Sequence, residues 1–414
     1  MFRRFNFSKT GNPLWQKIIA LSSILFFIFL SDAILSSWVP GLIETSLKSS
    51  VLMGLLMSFS SVVCFGGDLI FPQIFKGISV KKLLIIGVFS SLIFSLSLIS
   101  ATYSPLILIF LVSMFFWGIF YEVIGFANHQ FVADSVPMPM HASAWAVIGT
   151  FKNLAYFLGP LISGFLVSIN FQYPIYFALF FSLVSGLILL LTKKHHERPV
   201  TVEFEKVSIV SEIEHWKVLF KRIWPMLILS ITLGIIDSFF WTTGAVYTEE
   251  LAKVSFWGRF FLPTYALPSL FVGIIIVKKG IVSGKKKTAL RFFLLSGIFL
   301  ALMGVYESIY WQLLIVFCSS LALAISYPLI EGVYSDVIDR MGSQKKHMIG
   351  LCFSTISISY MIGPIVAGFA TTLVGVINTF VYLGIAVVII SLILIAVIPK
   401  KLKLPQNEIK KWQE

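Results

Sequence analysis

Apolar runs long enough to cross a bilayer dominate this chain, and they leave few folds open to it. Hydrocarbon about 30 Å thick takes roughly 20 apolar residues as one helix. Twelve such runs can be marked, near 18–39, 51–74, 83–101, 106–128, 144–168, 173–192, 224–246, 257–277, 290–306, 311–333, 349–372 and 376–398. A helix in lipid satisfies its own backbone, so the expected class is an all-α integral membrane protein. Composition agrees, with 57% hydrophobic and 12% charged residues, far from the average of soluble domains.

The basic residues alternate sides. Of 32 lysines and arginines, 28 fall at the two ends or on every second loop, which predicts cytoplasmic termini and a multi-pass protein of the cell (inner) membrane. The net charge of +13 is accounted for in this way, and no nucleic-acid partner is expected. The first apolar run is too long for a signal-peptide core and is expected to be retained. Cys64, Cys318 and Cys352 all lie in apolar runs, which argues against disulfides or a metal site.

One long charged loop divides the runs six and six. The expected organisation is a six-helix bundle over 1–192, a cytoplasmic linker over 193–223, and a second bundle with a cytoplasmic tail over 224–414. Within the linker Ile209, Ile213, Trp216 and Phe220 form one apolar stripe, expected as an amphipathic helix on the membrane surface.

The halves echo each other. NLAYFLGPLISGF aligns with SISYMIGPIVAGF, matching Gly159, Pro160 and Gly164 to Gly363, Pro364 and Gly368 at an offset of 204. Asp32, Trp38, Gly41 and Glu44 find counterparts in Asp237, Trp241, Gly244 and Glu249. An even number of helices per half makes this a parallel repeat, related by an axis along the membrane normal. The acids are offset by 205 and the tryptophans by 203, and two residues are about 200° around a helix. Whether the acids face equivalent directions is left open.

At the junction of the fourth and fifth runs the chain reads FVADSVPMPMHASAWAVIGTFKNLAYFLGPLISG. Ala133, Asp134, Pro137, His141, Gly149, Gly159, Pro160 and Gly164 resemble the pattern of the major facilitator superfamily, most of all its drug/proton antiporter branch. Two features of that branch are absent. FPQIFKGISVKKLL keeps Gly77, Lys81 and Lys82 and VKKGIVSGKKKTAL keeps Gly284 to Lys287, but both lack the acid, and the fourth run lacks an arginine. The resemblance implies two six-helix bundles related by pseudo-two-fold symmetry, with the first, fourth, seventh and tenth helices around a central cavity.

Each of those four runs carries an acid: Asp32, Glu122, Asp237 and Glu331. A carboxylate at the centre of a membrane helix costs on the order of 3 kcal/mol, so its presence in both halves points to a polar pathway, though a hydrogen-bonded structural acid is the alternative. Such acids could take up a proton on one side and release it on the other. Trp38, Trp241, Tyr121, Tyr156 and Tyr360 are candidates to line the cavity and contact a cation or a sugar ring. For the two tryptophans an interfacial belt is the other reading. Asp68 and Asp134 are candidate gating acids, and Lys152 is a candidate partner for Glu122. Gly159, Pro160, Gly164, Gly363, Pro364 and Gly368 serve either gating or tight helix packing.

The expected function is secondary active transport by alternating access, proton-coupled and directed to export of a cationic or amphipathic compound. The alternatives are a sugar or neutral-metabolite permease, or a polytopic enzyme or sensor. No nucleotide loop, nucleophile motif or metal-ligand run is present, so neither enzyme activity nor a cofactor is expected. The expected partners are a small-molecule substrate, protons or another coupling ion, and membrane lipid, with the chain acting as a monomer.

Overall fold

The computed structural model describes residues 13–74, 78–137, 140–192, 209–272, 284–341 and 344–399, and among these no strand occurs. The helices are α1 (Pro13–Leu47), α2 (Ser50–Ile74), α3 (Val80–Tyr103), α4 (Ile107–Ser135), α5 (His141–Ile169), α6 (Tyr173–Leu191), α7 (Ile209–Trp241), α8 (Thr243–Val254), α9 (Phe261–Ala266), α10 (Lys285–Ala301), α11 (Ile309–Asp339), α12 (Lys345–Val374) and α13 (Val376–Val397). Among the described residues ten helical spans are long and apolar enough to cross a membrane, as a multi-pass protein requires.

Contacts divide the chain into two units. One comprises residues 1–35 and 71–202, the other 36–70 and 203–414. Residues 36–70, which the sequence reading places in the first bundle, therefore group with the C-terminal helices.

Lipid tails are as apolar as leucine, so helix association in a bilayer relies on close packing and hydroxyl bonds rather than on a hydrophobic drive. Both units show this. In the first, Ser31 donates to the Ala178 carbonyl (2.7 Å) and lies 2.8 Å from Ser182, which is 2.9 Å from Ser91, tying α1, α3 and α6 together. In the second, Ser359 donates to the Ile231 carbonyl (2.9 Å), and Ser230 lies 3.0 Å from Thr355, joining α7 to α12. Gly384 of α13 backs directly onto the α10 backbone, where a Cβ would fall on Ala301 and Leu300.

Two expectations are corrected. The linker stripe is not a separate surface helix, because residues from Ile209 onward form the first turns of the 33-residue α7. There Leu219 and Ile223 are buried, whereas Ile213 and Phe220 are exposed. The run at 257–277 is also not one helix. It begins as a 3-10 turn at Phe256–Phe260, continues as the short α9, and then takes 3-10-type bonds from Leu270 to Leu267 and Phe271 to Pro268. Pro263 and Pro268 each remove a backbone donor, and Pro268 also crowds the turn before it.

One lysine from each basic run acts on a helix end. Lys81 Nζ donates to the Thr192 carbonyl just beyond α6 (2.6 Å), and Lys286 Nζ donates to the Pro399 carbonyl just beyond α13 (2.7 Å). A cation there complements the negative end of the helix dipole. Burial, and then the nearby Arg340, holds Lys286 below the usual lysine range. Lys81→Gln is expected to cost about 0.5–1 kcal/mol, read as a small drop in thermal midpoint, as the loss of one partly exposed dipole contact. A loss several times larger would show that Lys81 does more than cap α6.

Candidate functional site

The first unit builds a pocket of donors around Asp32, which is 2% exposed in the middle of α1. Trp117 Nε1 donates to Oδ1 (2.7 Å), while the Tyr121 and Tyr156 hydroxyls donate to Oδ2 at 2.8 and 2.5 Å. Trp117 and Tyr121 are four apart on α4 and so share a face, and Phe94 of α3 stacks on the Trp117 ring. Lys152, one turn before Tyr156 on α5, places its ammonium 5.2 Å from the Phe29 ring centre and 5.7 Å from that of Tyr156. Its charge is felt at Asp32.

What brings Tyr156 within reach is the glycine three residues later. Gly159 lies flush against α1, where a Cβ would overlap Ala33 and the Ile34 nitrogen. Ala33 directly follows Asp32. The close approach of α5 to α1 and the phenol–carboxyl bond are therefore parts of one interface.

The second unit repeats the arrangement. Asp237 is half-buried on α7, with the Tyr265 hydroxyl donating to Oδ1 (2.5 Å) and the Tyr360 hydroxyl to Oδ2. Tyr327 of α11 lies within electrostatic reach. Phe240 stacks on Tyr265 with ring centres 3.9 Å apart. Gly363, three residues after Tyr360, presses on Ser238, the residue after Asp237. The helix α7 stops just beyond at Trp241, and the Thr242 hydroxyl recaptures the Ser238 carbonyl at 2.6 Å.

The other candidates are scattered by comparison. Glu122 is half-buried on α4 and Glu331 is exposed on α11. Trp38 is fully buried and Trp241 half-buried. Pro160 and Pro364 sit inside α5 and α12, and Gly164 is half-buried one turn beyond Pro160. Gly368 abuts the Ser50 carbonyl at the start of α2, where Ser50 also donates to Glu44. The Glu249 carboxylate rests against Gly41. The side chains of Asp68 and Asp134 lie outside the described residues. Trp117 and Tyr265 were missed in the sequence, where neither carries a motif. The only available signal was that Trp117 stands one turn before Tyr121.

The Major Facilitator Superfamily model matches residues 21–345 and 264–414, nearly the whole chain. The chain belongs to the Major Facilitator Superfamily. Quinolone resistance protein NorA of Staphylococcus aureus is 21% identical over 243 residues, a match that covers 57% of this chain and 60% of NorA. Among solved structures, the human organic anion transporter MFSD10 aligns over 92% of this chain and all of its own at 18% identity, with a TM-score of 0.64. A proton-dependent oligopeptide transporter aligns over 94% and 99% at 14% identity, with a TM-score of 0.71. At such identities the structures show the fold. The superfamily fold implied by the junction motif is thereby established.

Proposed function

We propose that the chain is a secondary active transporter that exports a cationic or amphipathic small molecule across the cell membrane by alternating access, coupled to protons. Both termini lie in the cytoplasm, as the distribution of lysine and arginine indicates. One observation carries the reading: each unit holds a carboxyl within a spanning helix and surrounds it with aromatic hydroxyls and ring faces. That chemistry suits a desolvated organic cation, which gains from an acid and from π faces together. Similarity to a quinolone resistance protein supports the direction of transport.

Asp237 is the more accessible acid and is assigned the contact with cargo. The test uses proteoliposomes with an imposed proton gradient and tetraphenylphosphonium as the probe. Wild type should accumulate the cation in the gradient-driven direction, and Asp237→Asn should lower the initial rate by roughly 10- to 100-fold, the equivalent of one lost charge-assisted contact. A panel of ligands read by thermal unfolding sets the alternative, since a ligand at 100 times its dissociation constant stabilises by about 2.7 kcal/mol. Stabilisation confined to neutral sugars, and unchanged in Asp237→Asn, would replace this reading with a permease.

A further inference from the structure

We infer that Tyr156 and Tyr360 are positioning residues which couple the occupancy of Asp32 and Asp237 to the pivoting of α5 and α12. The geometry has three parts in each unit. A phenol donates to the acid, a glycine three residues on presses the same helix against the residue next to that acid, and a proline follows at once. Proline removes one intrahelical bond, so the segment after it bends at low cost. The glycine leaves a smooth surface over which the helix can turn. The phenol bond is then the catch on the near side of the pivot.

The arrangement occurs twice, built from differing surroundings. Besides its phenol, the Asp32 carboxyl accepts from Trp117 and Tyr121 of α4 and feels the charge of Lys152 on α5. The Asp237 carboxyl accepts from Tyr265 of α9 besides its own phenol, and Tyr327 and Glu331 stand on α11. What the two sites have in common is the tyrosine three residues before Gly-Pro. When a proton or a cation occupies the acid, the carboxyl has less to offer the phenol. Loss of that bond frees the helix to pivot at Gly159–Pro160 or Gly363–Pro364.

This inference rests on the transport reading only for its kinetic consequence; the structural coupling can be tested without any cargo. Hydrogen exchange over α5 and α12 would be measured on the full chain in lipid nanodiscs for wild type, Tyr156→Phe, Asp32→Asn and the double variant, and for Tyr360→Phe, Asp237→Asn and their double. Each change at the first site should speed exchange around Gly159–Pro160 roughly tenfold, as expected for one lost hydrogen bond, and leave α12 unchanged. The double should be no faster than either single. Changes at the second site should act on α12 in the same way. In proteoliposomes Tyr360→Phe should lower tetraphenylphosphonium turnover with little change in KM. Wild-type exchange in both phenylalanine variants, or additive effects in the doubles, would overturn the coupling. If tetraphenylphosphonium is not carried at all while the exchange pattern holds, the transport reading fails and the coupling stands. Should Tyr156→Phe fail to fold, the α12 set decides the question alone.

Discussion

Asp32→Leu should destabilise the protein by about 3–5 kcal/mol, the scale seen when one partner of a buried polar network is removed. The leucine fits the volume of the site, so the loss comes from the donors it strands. Trp117 Nε1, the Tyr121 hydroxyl and the Tyr156 hydroxyl all lose their acceptor, and an unsatisfied buried donor costs about 1–3 kcal/mol. The two phenols already stand within bonding reach of each other and can partly compensate, whereas the indole N–H can only donate. Equilibrium unfolding in detergent reads the effect. Adding Trp117→Phe, Tyr121→Phe and Tyr156→Phe to Asp32→Leu should restore most of the lost stability, because donors and acceptor are then removed together. An Asp32→Leu protein as stable as wild type would show that these donors find other partners and that the pocket does not hold α1 to α4 and α5.

Gly159→Val carries the second large effect, and it acts on stability and transport at once. The new side chain meets Ala33 and the α1 backbone, which cannot move aside without displacing the whole helix. Overpacking of this kind costs about 1–3 kcal/mol, and the separation it forces also draws Tyr156 away from Asp32. Transport should therefore fall further than the stability loss alone explains. Gly149→Ala on the same helix is the comparison. Nothing lies within 4 Å of a Cβ there, so alanine should be neutral or raise stability by up to about 1 kcal/mol through helix propensity. If Gly159→Val behaved like Gly149→Ala, the contact between α5 and α1 would be looser than the structure shows.

The sequence was most legible where chemistry and length coincide. Bilayer-length apolar runs and the repeated Gly-Pro segments identified the architecture, because a helix in lipid has few alternatives. The acids stood out because a carboxyl among apolar residues is costly. Their surroundings were not legible. Trp117 lies 85 residues from Asp32, and Tyr265 lies 28 residues from Asp237 across two helix interruptions. Periodicity places a residue on one face of a helix without saying which neighbour that face meets. The difference in offset between acids and tryptophans raised the question of whether Asp32 and Asp237 point the same way. Each acid proves to meet the tyrosine of the Gly-Pro helix in its own unit. The tryptophans diverge instead, with Trp38 fully buried and Trp241 half-buried. The break after Trp241 had no clear marker, since Thr242 and Thr243 are tolerated in helices.

The capped helix ends have a bearing on ancestry. Lys81 closes the last helix of one unit and Lys286 the last helix of the other, each from the short basic run that precedes a helix in its own half. The acid, its phenol and the glycine beneath them are likewise supplied within a single unit. A duplicated gene would thus have inherited the same device twice, once in each unit. One copy could then drift, exchanging an indole for a phenol or gaining an ammonium, while the other kept working. Specificity in such a protein can change by halves.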